Sequence, residues 1–159
     1  MTRDLERTPS ASRTTMTTIV LPADTNNYGH VFGGRILALS DKVAAMTAVR
    51  HCRLPVVTAS IDRVDFLHPI KSGMFADFVG EITAAFRTSM EIAVTVEAED
   101  PISGTKILAC RALLTIVAID ASGRPVPVPK VDFEDDEQRA RAVRAEERRR
   151  QRLATRDGI

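Results

Sequence analysis

The chain has 159 residues, 44% of them apolar, with a formal net charge of +1. That length suits one domain with short tails, and the near-neutral charge gives no reason to propose a general role in binding nucleic acid or membrane surfaces. Aromatics make up 4% without Trp, so the core is aliphatic; Cys52 and Cys110 form neither a disulfide framework nor a metal-spaced cluster and read as buried thiols of a reducing compartment. No stretch holds the roughly eighteen consecutive apolar residues of a membrane span, and the N-terminus lacks the apolar core of a secretory signal. The expectation is a soluble, cytoplasmic protein with no membrane insertion.

Met1–Arg13 mixes charged and hydroxyl residues without periodicity, so residues 1–13 are expected to form a disordered tail. Thr14–Leu21, rich in Thr, Ile and Val, reads as a first strand that ends at Pro22. Ala23–Gly29 is loop. From about Phe32 or Gly33 to about His51 the chain reads as one helix, and within Ile36–Val49 only Asp41 and Lys42 carry charge. A helix apolar on nearly every face belongs inside a protein. After Leu54-Pro55 the pattern turns to strands. Val56–Leu67 alternates and then shifts phase, which predicts a bulge or bend near Asp62-Arg63. Met74–Phe86 and Ser89–Glu99 form a hairpin around Arg87-Thr88, and Lys106–Asp120 is a long final strand.

One strand, one buried helix and four strands joined by short turns predict an α+β domain over residues 14–128, an antiparallel sheet of about five strands curled around a central helix. Val126–Val131 places proline at alternate positions and reads as an extended exit strap. Residues 129–159 form a charged tail, helical or disordered. Eight acidic and eight basic residues balance between Asp132 and Asp157, which favours a solvated helix over a nucleic-acid contact.

Asp41 is the residue of chemical interest. A carboxylate on an apolar helix is costly to bury unless something uses or compensates it, and both a catalytic and a structural role fit. Gly33 and Gly34 are poor helix formers, suited to a place where backbone must come close to something. The first N–H groups of a helix lack intrahelical partners and carry the positive end of its dipole, so this start can hold an oxyanion or a polarised carbonyl. His30 precedes the glycine pair and either meets a ligand held there or is simply exposed. His51 reads as a helix cap and His68, beside Pro69, as turn structure. No Gly-x-Ser-x-Gly elbow, zinc-type spacing or phosphate-binding loop is present, so no metal is expected. Water activated by a carboxylate or imidazole near a helix N-terminus remains, chemistry suited to hydrolysis or hydration of an activated carbonyl.

The run from Leu21-Pro22-Ala23-Asp24-Thr25-Asn26 through Gly29-His30-Val31-Phe32-Gly33-Gly34 resembles the signature of the hotdog-fold acyl-CoA thioesterases, the cytosolic acyl-CoA hydrolase group. Leu39-Ser40-Asp41, Val56-Val57-Thr58-Ala59, Phe66-Leu67-His68-Pro69 and Arg87-Thr88-Ser89-Met90-Glu91 extend the resemblance from about Thr15 to Val128. The resemblance implies hydrolysis of acyl-CoA to fatty acid and coenzyme A, with coenzyme A as part of substrate and product and no further cofactor. It implies homodimers with shared active sites, assembled as trimers of dimers, Gly33 or Gly34 as amide donor to the thioester carbonyl, and Asp41 of the partner orienting or deprotonating water, with His30 beside them. Asn26, Phe32, Thr58, Arg87, Thr88 and Ser89 would then bind substrate. Two positions depart from the family pattern: His30 stands where relatives commonly carry Asp, Asn or a small polar residue, and Lys42 replaces the usual Glu after the aspartate. A hotdog hydratase or dehydratase pairing His30 with Asp41, and a non-catalytic acyl-CoA-binding protein, are the competing expectations.

Overall fold

A computed structural model describes residues 7–156. A short helix α1 (Pro9–Ser12) leads into strand β1 (Thr14–Ile19), a 3-10 turn (Pro22–Asp24) and the long helix α2 (Gly33–Cys52). Strands β2 (Val56–Phe66), β3 (Phe75–Ala85), β4 (Ser89–Glu99) and β5 (Lys106–Ala118) follow, and helix α3 (Asp136–Thr155) closes the chain. All pairings are antiparallel, and the five strands are ordered β1-β3-β4-β5-β2.

The order corrects the expected run of successive neighbours. Only β3, β4 and β5 form a meander; β2 skips its successor and pairs with β5, which leaves it as an edge. Local turn signals cannot report this, because β2 and β3 are separated by a loop that fits either arrangement. The phase shift at Asp62 is a register shift between Ile61 and Arg63, and a second lies between Thr58 and Ser60.

Alternation decides which side of the sheet meets α2. Phe78, Ile82, Met90, Ile92, Val94, Val96, Ala112, Leu114 and Ile116 are buried and make one face. Ile36, Leu39, Val43, Ala44, Thr47 and Ala48, at helical spacing, pack onto it. Gly80 lets the helix settle: a Cβ there would stand 2.5 Å from Thr47 Oγ1 and 2.8 Å from Val43 Cγ1. α2 is not apolar-and-enclosed all round, however. Its far side leaves Ala38, Lys42, Met46 and Val49 exposed, next to the open edge of β2 with Val57, Ile61, Phe66 and Leu67.

Two further expectations change. Within the predicted disordered N-terminal tail, Pro9–Ser12 is helical, with Pro9 and Ser12 buried; residues 1–6 lie outside the described residues. The C-terminal segment is helical and packed rather than solvated: Ala145 is fully buried, and Arg148 reaches Glu91, which is 1% exposed. Among the described residues no helix is long and apolar enough to cross a membrane.

Candidate active site

The loop before α2 is held shut by its own side chains. Asn26 Oδ1 accepts from the Tyr28 N–H at 2.9 Å and the His30 N–H at 3.2 Å, while the Asn26 N–H donates to the His30 carbonyl at 2.8 Å. Asp24 joins the loop to the helix, its Oδ1 3.1 Å from Arg35 Nε and its carbonyl accepting from the Phe32 N–H. Val31 N–H donates to the Ile70 carbonyl, which fixes the loop against the segment after β2. No side chain caps α2, whose N-cap is Phe32. The Gly33 and Gly34 amides therefore remain without intrahelical partners, the first bonded amide being that of Arg35, to the Phe32 carbonyl.

Gly33 and Gly34 serve different needs. A Cβ on Gly33 would meet Phe66 Cζ at 3.0 Å, so any other residue there would have to push the exposed Phe66 ring aside. A Cβ on Gly34 would meet nothing within 4 Å. Nothing inside the chain demands glycine at position 34; a close approach from outside it would.

Asn26, His30, Gly33, Ile36, Phe66 and His68 line an open cleft of about 360 Å³. His68 was read as turn structure; its Nδ1 donates to the Leu108 carbonyl at 2.9 Å, which fixes the ring at the cleft wall. Sequence reasoning missed Phe66 and His68 as cleft residues because strand register, not local pattern, carries them beside Gly33.

Asp41 stands elsewhere. It lies eight residues along α2 from Gly33, about 12 Å at 1.5 Å per residue. Thr58 Oγ1 donates to Asp41 Oδ1 at 2.5 Å. Thr58 was expected to bind substrate; its hydroxyl fixes the Asp41 carboxylate. The two clusters sit at opposite ends of one strand, since Thr58 pairs with Ile116 and Phe66 with Cys110. The step from Cys110 to Ile116 along β5 is about 20 Å.

Residues 28–105 match the thioesterase superfamily. An uncharacterized acyl-CoA thioester hydrolase of Bacillus subtilis is 42% identical over 127 residues, covering 80% of this chain and 74% of the relative. The cytosolic acyl coenzyme A thioester hydrolase of Rattus norvegicus is 35% identical over 154 residues, and the chain spans 40% of its length. The acyl-CoA hydrolase of Staphylococcus aureus, solved with butyryl coenzyme A, coenzyme A and coenzyme A disulfide, superposes with a TM-score of 0.88 at 38% identity, covering 96% of this chain and 93% of that one. A hexameric acyl-CoA thioesterase superposes with a TM-score of 0.88 at 41% identity, covering 92% and 94%. The chain belongs to the hotdog-fold acyl-CoA thioesterases. Other structures of the Staphylococcus aureus protein carry single alanine replacements of an aspartate, a threonine and an asparagine.

For this thioesterase-family chain the remaining sequence expectations divide. Asn26, His30 and Gly33 share the cleft, and Asp41 and Thr58 share the other cluster. Phe32 caps α2 with an exposed ring. Arg87 and Thr88 lie in the β3–β4 turn and Ser89 opens β4; the Arg87 carbonyl accepts from Val128 N–H and the Thr88 carbonyl from Ala118 N–H. Ser89 pairs with Val117 and Val117 with Val57, so this turn lies at the Thr58 end of the sheet. His51 is no cap. It is buried within α2, its Nε2 donating to the Pro129 carbonyl of the exit strap at 3.0 Å. Burial lowers its pKa below the ordinary histidine value. The two thiols are quiet: burial raises both, Cys110 to about 11.

Proposed function

We propose that the chain hydrolyses acyl-CoA thioesters at sites that two copies build together. The carrying observation is the placement of Gly33 and His30 at one end of edge strand β2 and of Asp41 and Thr58 at the other. Antiparallel pairing of β2 with β2 of a second copy puts opposite ends side by side, as a two-fold axis requires. Each dimer then holds two sites, each with the loop of one subunit facing the carboxylate of its partner. The exposed apolar residues along β2 and on the far side of α2 are what such a pairing covers.

In the site, Gly34 or Gly33 N–H donates to the thioester carbonyl oxygen, and Asp41 of the partner subunit takes a proton from water. The water oxygen bonds to the carbonyl carbon, the carbon–sulfur bond breaks, and coenzyme A leaves as a thiolate that takes up a proton. Thr58 holds the carboxylate in one orientation. His30 and Asn26 line the acyl entrance, and Arg87, Thr88 and Ser89 face the coenzyme A arm, where a guanidinium suits phosphate. No cofactor beyond coenzyme A itself takes part.

The alanine replacements made in the Staphylococcus aureus relative support this set. Their spacing is fifteen residues from asparagine to aspartate and seventeen from aspartate to threonine, the same as from Asn26 to Asp41 and from Asp41 to Thr58. The hexameric relative supports a trimer of dimers, and the cytosolic relatives support a cytoplasmic location.

The experiment is thiol release from a panel of acyl-CoAs. Asp41→Ala is expected to lower the rate by about 10²-fold, and an unchanged rate removes Asp41 from the mechanism. Asp41→Ala and Gly34→Val chains, each inactive alone, recover about a quarter of wild-type activity when mixed into shared dimers. A mixture as inactive as its parents overturns the shared site.

A further inference from the structure

The proposed reaction makes no use of α3, yet this helix grips the strand that carries the site. Arg141, Ala145, Arg148 and Arg152 fall on a single helical stripe that faces the side of the sheet away from α2. The arginines reach Glu81 on β3, Glu91 on β4 and Asp62 on β2. α3 thus runs across the strands.

Its contacts fall on a polar row that ends in two bulges. Asp62 is the extra residue of β2 between Ile61 and Arg63, and Thr83 the extra residue of β3 between Ile82 and Ala84. Glu91 and Thr115 face each other on the strands between them. Thr83 Oγ1 donates to Glu91 Oε1, and Thr115 Oγ1 to Asp62 Oδ2, both at 2.6 Å. Ser60 Oγ donates to Asp62 Oδ1 at 2.7 Å. Arg148 grips Glu91 through two bonds, and Arg152 Nη1 donates to Asp62 Oδ2 at 3.0 Å. The bulge carboxylate is therefore tied at once to its own strand, to β5 and to α3.

A bulge bends its strand and re-aims the side chains beyond it. β2 carries Thr58 before this bulge and Phe66 after it, and the two mark the two halves of the site. A change of bend at Asp62 moves one half relative to the other in every dimer. We propose that Asp62 and Arg152 are positioning residues for the thioester site: α3 clamps the bulge of β2 and so sets the distance between the amide donors and the carboxylate. The proposal rests on the thioesterase reading above for its kinetic consequence.

The test compares full-length Arg152→Ala, Arg152→Lys and Arg141→Ala by acyl-CoA kinetics and by amide hydrogen exchange across residues 57–66. Arg152→Ala is expected to exchange faster there and to lose roughly tenfold in kcat with little change in KM, short of the hundredfold that a full ångström of misplacement produces. Arg152→Lys restores most of both, and Arg141→Ala, which leaves Glu81 on β3 still paired with Arg13 and does not touch the β2 bulge, changes neither. Unchanged exchange and kcat in Arg152→Ala overturn the proposal. So does an equal response to Arg141→Ala, which makes the effect one of helix seating alone. If Arg152→Ala does not fold, Asp62→Asn, which keeps an acceptor for the hydroxyls, is judged by the same two readouts. A wild-type chain that releases no thiol from any acyl-CoA defeats the thioesterase reading, while the exchange comparison still decides whether Arg152 holds the bulge.

Discussion

α2 and α3 are each twenty residues long and cover opposite faces of one sheet, but they are held there by different chemistry. α2 meets the sheet with Ile36, Val43, Ala44 and Ala48, a stripe whose burial drives its docking, with directional bonds such as Thr58 to Asp41 only at its flanks. α3 meets it with Arg141, Arg148 and Arg152, and each contact depends on a carboxylate placed to receive it. Apolar packing tolerates small shifts along the surface. An ion pair such as Arg148 with Glu91 has fixed partners and fixed geometry, so it specifies where the helix lies. The apolar contact makes the core; the ionic one aligns the strands above it.

Removing one partner of the buried pair breaks the comparison most severely. Arg148→Ala leaves Glu91 buried and unpaired, and is expected to lower unfolding stability by about 3 kcal/mol in denaturant titration, the lower end of the range for such pairs because Arg148 is itself partly exposed. Replacing both residues by methionine is expected to return most of that loss, since a matched apolar pair leaves no stranded charge. A double variant as unstable as Arg148→Ala would mean that the site needs the ionic contact itself.

On the other face the matching change is Gly80→Ala. The added methyl presses on Thr47 and Val43 beneath α2, and a loss of about 1–3 kcal/mol is expected from the same titration. Equal stability would show that α2 slides to make room.

The smallest effect is a pH dependence at the end of α2. His51 Nδ1 is buried without a partner among the described residues, and Arg7, Asp132 and Cys52 are its titratable or charged neighbours. Burial, the largest influence, sets its folded pKa below the unfolded value near 6.5, with the Pro129 carbonyl opposing. The unfolded chain therefore takes up a proton first as pH falls. The contribution of His51 to stability is complete above that value and is lost as pH drops toward the folded pKa. His51→Gln is expected to flatten the fall in unfolding midpoint below about pH 6.5. A slope equal to wild type would assign that pH dependence to other groups.

Much of the site was readable from local pattern because its parts are local. The polar loop, the glycine pair and the lone carboxylate all stand within Asn26–Asp41, where helix start signals and charge placement act over a few residues. The bulge at Asp62 was readable too, since a slip of one residue moves every later side chain to the other face. The partnership of Asp41 with Thr58 was not, nor the approach of Phe66 and His68 to Gly33, because each joins segments brought together by strand order. The C-terminal arginines misled for a related reason: acids and bases balanced within the segment, whereas the carboxylates that receive Arg148 and Arg152 lie in β4 and β2.

The sequence by itself determined the inventory of elements, the faces of the strands and the chemistry available at the start of α2, because periodicity and propensity are properties of neighbouring residues. Only the tertiary structure decided that β2 is an edge, that the halves of the site stand at its two ends, and that α3 is fastened to its bulge. Those facts depend on pairings between distant segments, whose loop-closure and packing energies no local pattern records.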